Sequence, residues 1–332
     1  MYSDYSTIVD KLIINIDKSM TIDGHGHTID LAGSSKHDPY FKVTDGSVTF
    51  RNIRFTNGYN KDDDKGGAIF FKSTGVCTLI NCSFENCWAE SYGGAVYSVG
   101  ALHIYNSTFF KNHVENYGGA VYTDGNLIAE NTIFENNSAE DCSGAVDVEG
   151  SNAELNNCTF RNNHAEEDGG ALWIKGNLIA KDSIFDGNKA DDCSGAVDVE
   201  GSNAEFYGCA FRNNYADDDG GAVWIKGNLI AKDTLFEGNS AGDCSGAVDV
   251  EGFQAELNNC TLYNNHANDD GGAVWIKNNL KVQNTTFENN NAPNAGTIYT
   301  GGDLTLVKSN VQYSTREDNK AIVCKGSIAI KD

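Results

Sequence analysis

Long apolar runs, basic charge and proline are what this 332-residue chain has least of, and each shortage narrows the reading. No stretch of 18 apolar residues occurs, so no segment is suited to cross a bilayer as a helix, and direct membrane insertion is not expected. Lys and Arg number 24 against 47 Asp and Glu, a formal net charge of -23. Such a surface is a poor partner for nucleic acid or anionic membrane and leaves cations, cationic polymers and neutral glycans. The opening MYSDYSTIVDKLIINIDKSM lacks the basic-then-apolar order of a secretory signal. Ten cysteines are present, yet no C-x-x-C pair, which argues against zinc. Of two prolines, one (Pro39) falls in the polar stretch Ala32 to Tyr40, which reads as a loop.

What the chain has in abundance is repetition. Ser143 to Cys193 returns as Ser194 to Cys244 with 38 of 51 positions unchanged, and more loosely from Ser245 to Ala295. A fixed period marks stacked units that bury their apolar faces against their neighbours. Each unit divides into two coils, with starts at Gly66, Gly93, Gly118, Ser143, Gly169, Ser194, Gly220, Ser245 and Gly271. A pitch of 25 to 27 residues leaves no room for a long helix. Short alternating runs such as Ala222 to Lys226, bounded by Gly, Asn and Asp, read as strands.

Volume complementarity between coils supports this. Leu127 and Ala129 are followed by Ala153 and Leu155, then Leu178 and Ala180, Ala204 and Phe206, Leu229 and Ala231, Ala255 and Leu257. Large over small at every step has meaning only if equivalent positions touch. The Asn that recurs three residues after a coil's Phe, or after Leu262 in its place (Asn112, Asn137, Asn163, Asn188, Asn214, Asn239, Asn265, Asn290), suits a left-handed turn and an amide ladder.

The pairing of FENN, FRNN, FDGN and FEGN with G-G-A-[ILV] resembles the repeat of chlamydial polymorphic outer membrane proteins and of adhesin-like surface proteins of methanogenic archaea. MTIDGHGHTIDLAG (20 to 33), running to VTFRNIRFTNG (48 to 58), is similar to the opening of their β-helix domains. The resemblance covers nearly the whole chain and implies an all-β, right-handed parallel β-helix solenoid with coils of about 25 residues. That hand agrees with the rule for parallel crossovers. Residues 1 to 65 read as an N-terminal cap with the first irregular coils. Residues 66 to 332 read as the regular array, decaying after Ala295 into a half coil from Asn319. The signal-free start and the uncapped strand-like end, Ala321 to Ile330, read as a piece of a larger secreted protein.

Cysteine spacing speaks against disulfides within a series. Cys142, Cys193 and Cys244 lie two coils apart, as do Cys158, Cys209 and Cys260. Two coils span about 9.6 Å, beyond the reach of about 7 Å between bonded Cα atoms. Buried thiols are the simpler account. His25 and His27 in DGHGH read as a turn in the cap rather than as metal ligands.

Three columns of surface residues offer function. Glu149, Lys175, Glu200, Lys226, Glu251 and Lys277 alternate in sign and read as structural ion pairs. Tyr122, Asp147, Trp173, Asp198, Trp224, Asp249 and Trp275 alternate aromatic with carboxylate. Indoles about 9.6 Å apart, close to a disaccharide step, suit sugar faces, with Asp147, Asp198 and Asp249 accepting from hydroxyls. The alternative is an indole shield over the strands. Asp141, Glu167, Asp192, Asp218, Asp243 and Asp269 form an acidic corner in which stacked charges repel by roughly 0.9 kcal/mol per pair even in water. Calcium bridging these carboxylates and solvated acidic turns both answer that repulsion. The nonapeptide of calcium-binding β-helices is missing. No cofactor is required.

Catalysis needs a singular constellation, whereas the outward carboxylates here come in three near-identical copies. The sequence therefore reads as a non-enzymatic, extracellular, cell-surface adhesin-like rod, its partner a glycan or protein of another cell, bound multivalently. A polysaccharide lyase or hydrolase of the pectate-lyase-like fold and a passive surface stalk are the alternatives.

Overall fold

A computed structural model describes residues 5–6, 13–31, 41–60, 64–312 and 320–332. The loop expected at Ala32 to Tyr40 and residues 61 to 63 of the acidic KDDDK turn lie outside the described residues. The chain falls into two compact units, residues 1–166 and 167–332. Among the described residues every regular element is a strand.

One coil of the second unit shows the plan. Val197–Val199 forms a short face, Asn203–Tyr207 and Ala210–Arg212 a long face, and Tyr215–Ala216 a third. Each strand pairs in parallel with its equivalent one coil on: Val197 with Val223, Ala204 with Leu229, Phe211 with Phe236, Ala216 with Ala241. The first unit repeats the scheme, with Val96 beside Val121, Leu102 beside Leu127, Phe109 beside Phe134 and Val114 beside Ala139. The expected parallel β-helix is the architecture of each unit.

The core explains the sequence pattern. In the second unit Leu178, Ala204, Leu229 and Ala255 form one buried column, and Ala180, Phe206, Ala231 and Leu257 the next, so that Leu229 and Phe206 each lie between two alanines. The phenylalanines stack face to face: Phe55, Phe84, Phe109, Phe134 and Phe160 follow at 4.8 Å between centroids in the first unit. Phe185, Phe211 and Phe236 follow at 4.7 and 4.9 Å in the second.

The asparagine ladder exists, but its members do not take the left-handed conformation assigned to them from sequence. That role falls one residue earlier, to Asn136, Asn162, Asn213 and Asn264, at φ of 52 to 57°. The following Asn is thereby turned inward and buried. In the second unit Asn188, Asn214, Asn239, Asn265 and Asn290 are linked amide to carbonyl at 2.9 to 3.0 Å. Each of the last four also donates to a core backbone carbonyl of the preceding coil, as Asn214 does to Phe185. The second residue of each G-G or S-G pair has a different reason: a Cβ on Gly195 would lie 2.2 Å from the carbonyl oxygen of Gly221.

Near the N-terminus, where residues 1 to 65 read as a cap with the first irregular coils, the strands are Ile14–Ile16, Met20–Asp30, Phe41–Val43 and Val48–Thr56. DGHGH lies within the long strand, where pairing with its neighbour shifts between Asp23 and His27. His25 (φ 50°) and Gly26 (φ 82°) make that bulge, and the His25 N–H donates to Asp23 at 2.9 Å.

Candidate binding face

The short face carries the aromatic column. Its strands are three residues long, with outer residues turned to the core and the middle one away from it. In the second unit the middle residues run Trp173, Asp198, Trp224, Asp249, Trp275 and Tyr299, each in register with the next. Trp173, Trp224 and Trp275 are half-buried and each keeps part of its indole at the surface.

The aspartates of this column are not at the surface, which corrects the role expected for Asp147, Asp198 and Asp249 as acceptors for sugar hydroxyls. They are only 2, 3 and 3% exposed. In the second unit Asp198 and Asp249 are short side chains each between two tryptophans, one coil above and one below, and are overhung by both. Each carboxyl is held from within its own coil: Ser143 Oγ donates to Asp147 at 2.8 Å, Ser194 to Asp198 at 3.0 Å and Ser245 to Asp249 at 2.7 Å. The serines adopt φ of 62 to 66°, a region where glycine is the cheaper residue. Desolvation raises the carboxyls of Asp198 and Asp249 well above the ordinary carboxylate range, and neighbouring carboxylates add to it. The Oδ1 atoms of these two are buried without a hydrogen-bond partner. A signal was present in the sequence: wherever the middle residue is Asp the coil opens on Ser, and wherever it is Trp the coil opens on Gly.

In the first unit the same column is closed. Phe70, Tyr97 and Tyr122 are buried, with Tyr92 and Tyr117 packed against them and Lys65 over the Tyr92 and Tyr97 rings. Tyr97 donates its hydroxyl to Asp124 at 2.7 Å. Tyr122 therefore presents no free face.

Two residues further along the strand the alternating charges do pair: Lys226 with Glu200 and Lys277 with Glu251.

The acidic corner stacks as expected in the second unit. Backbone hydrogen bonds join Glu167, Asp192, Asp218, Asp243 and Asp269 in succession. Asp141, in the first unit, is half-buried. Asp168, Asp219 and Asp270, which the sequence places on the same edge together with Glu166 and Asp217, form an adjoining column in which Cys193 and Cys244 alternate with them, and that alternation is what sequence reasoning missed. Cys142, Cys193 and Cys244 are half-buried, whereas Cys158, Cys209 and Cys260 are the buried thiols expected, donating to core carbonyls at 3.3 to 3.4 Å. Among the described residues no disulfide joins the cysteines.

Donor atoms of Asp168, Asp192 and Cys193 lie within 4.8 Å of one another, as do those of Asp219, Asp243 and Cys244, and of Cys244, Asp269 and Asp270. Burial and the surrounding carboxylates push the Cys244 thiol up to about 12 and raise Cys193 further. Asp218 is raised by its hydrogen bond with Asp192, and Asp219 by burial. Each cluster combines two carboxylates with one thiol, whereas calcium takes six to eight oxygen ligands.

Compared with known proteins, residues 11–179 and 175–311 match the family model of the right-handed β-helix region. No curated protein and no solved structure shows significant similarity to the chain.

Proposed function

The chain belongs to the right-handed β-helix family, and from that premise we propose a non-enzymatic, adhesin-like cell-surface protein that binds glycan through Trp173, Trp224 and Trp275. The observation that carries this reading is the column itself: half-exposed indoles on alternate coils, the carboxyl between each pair withdrawn beneath them. Sugars stack their apolar C–H faces on such rings. Indoles two coils apart, about 9.6 Å, meet successive disaccharide units. Hydroxyl partners come from the exposed Glu200–Lys226 and Glu251–Lys277 pairs beside the indoles, in place of the buried aspartates.

The non-catalytic part of the reading is supported by repetition. Residues at equivalent positions of three coils offer three similar weak sites, which suits avidity better than a single chemical step. The extracellular location and a partner on another cell rest on the likeness of the F-x-x-N and G-G-A repeats to surface adhesins and on the acidic surface.

The test is a glycan array read with the intact chain and with Trp173→Ala, Trp224→Ala and Trp275→Ala, singly and combined. Each single change is expected to weaken binding a few-fold, and the triple variant by more than tenfold, as multivalent contacts are lost together. Undiminished binding by the triple variant sinks the assignment to this column. An intact chain that binds no glycan is a stalk.

A further inference from the structure

Near the end of the second unit three columns break at the same place. The coil shortens: Thr285 meets Ser309 after 24 residues, where Cys260 meets Thr285 after 25. In the aromatic column Tyr299 stacks on Trp275 at 5.5 Å with rings 1° from parallel, but its next neighbour is Val323, too small to cover the other face. In the charge column the partner above Lys277 is Gly301, where the alternation calls for an acid, and Lys325 follows it. In the column beside the acidic corner Asp270 is succeeded by the neutral Asn294, and Lys320 joins the next coil nearby, its carbonyl accepting from the Gly296 N–H.

The result is a cavity of about 450 Å³ lined by Asp270, Asn294, Tyr299, Lys320 and Lys325 among others. That lies within the usual range for a small-molecule site. Among the described residues neither lysine enters an ion pair, in a chain with 47 acidic against 24 basic residues. Lys325 instead lies 5.9 Å from the centre of the Tyr299 ring.

We propose that this cavity binds one pyranose unit carrying a single acidic substituent. Tyr299, backed by Trp275, supplies a flat face for the ring. Lys320 and Lys325 supply two cations for the acidic group, and Asp270 and Asn294 face the hydroxyls. Asp270 also limits the charge the site accepts, since a second anionic group turned toward it is repelled. Carboxylate and phosphate share this chemistry. The site goes beyond the indole column, with which it shares only Trp275.

The experiment is titration of the intact chain, followed by backbone amide chemical shifts, with methyl β-glucuronide, glucose 6-phosphate, methyl β-glucoside and inorganic phosphate. One or both acidic sugars are expected to bind at least tenfold more tightly than the neutral glucoside and than phosphate alone, with shifts centred on residues 293 to 301 and 320 to 325. Which acidic sugar binds more tightly identifies the substituent. The double variant Lys320→Gln, Lys325→Gln is expected to lose that preference while its melting temperature is unchanged, both side chains being exposed. Trp173→Ala with Trp224→Ala is expected to leave it intact, which separates this site from the column. Neutral and acidic sugars binding alike, phosphate matching the acidic sugars, or a preference that survives in the double lysine variant each overturn the proposal.

Discussion

Facing away from a core is not the same as facing water, and Asp198 and Asp249 show the difference at the scale of one side chain. Each turns outward, yet each is overhung by indoles and keeps one carboxyl oxygen without a partner. Their folded-state pKa values lie above those of the unfolded chain, so over the interval between the two the folded state binds more protons. Stability contributed by the neutral form is present at low pH and is lost as pH rises through that interval. Replacing both residues with Asn keeps an acceptor for Ser194 and Ser245 and removes the buried ionisation. The double variant is expected to melt about 2–4 °C above the parent at pH 8 and no higher than the parent at pH 4, in thermal scans at matched ionic strength. A gain of equal size at both pH values contradicts the assignment. The alternation of Trp and Asp was legible in the sequence, and the burial was not, because strand period reports direction and says nothing of how far neighbours overhang. The paired alternation of Gly and Ser held that information: a serine at positive φ is strained unless its hydroxyl has a purpose.

At the scale of the coil, stability is carried by contacts between equivalent positions, so one altered rung acts on both neighbours. Asn214 accepts from both the backbone N–H and the side-chain amide of Asn188, and its own amide donates to Phe185 and Asn239. Asn214→Ala strips all four bonds from a buried ladder and is expected to cost about 2–4 kcal/mol, since each orphaned buried group costs about 1–3. Urea unfolding followed by tryptophan fluorescence in a Trp88→Phe background reads the second unit, which holds the other three tryptophans, Trp173, Trp224 and Trp275. Ala231→Leu tests the volume rule directly, because Phe206 lies on one side of it and Leu257 on the other. Overpacking there is expected to cost about 1–3 kcal/mol, and a neutral outcome would mean that the layers are loose. This layer rule was fully readable from sequence because it depends only on which residues recur at a fixed period. The turn conformation was misplaced by one residue for the opposite reason. In FENN and FRNN two asparagines adjoin, and composition does not say which bends the chain and which fills the interior. FDGN and FEGN do say so, since there glycine stands at the left-handed position, as Gly187 and Gly238 show.

For the molecule as a whole the dominant long-range term is charge. A formal charge of -23 includes a column of the second unit in which acids succeed one another coil by coil from Glu167 to Asp269. Self-repulsion of this kind is relieved by any mobile cation within a Debye length, about 30 Å at 0.01 M ionic strength and 3 Å at 1 M. Raising sodium chloride from about 0.01 to 0.5 M is therefore expected to raise the melting temperature by a few degrees. Divalent ions distinguish general screening from a built site. Asp168 and Asp192 meet at Cys193, and Cys244 joins two clusters of the same kind, with Asp219 and Asp243 and with Asp269 and Asp270; each combines two carboxylates with a thiol, a donor set short of calcium's six to eight oxygens. Calcium and magnesium at equal ionic strength are thus expected to shift the melting temperature equally, and Cys193→Ser with Cys244→Ser to leave that shift unchanged. A rise confined to calcium would mean that Asp141, Glu167, Asp192, Asp218, Asp243 and Asp269 converge on the ion more closely than their stacking in the free chain allows.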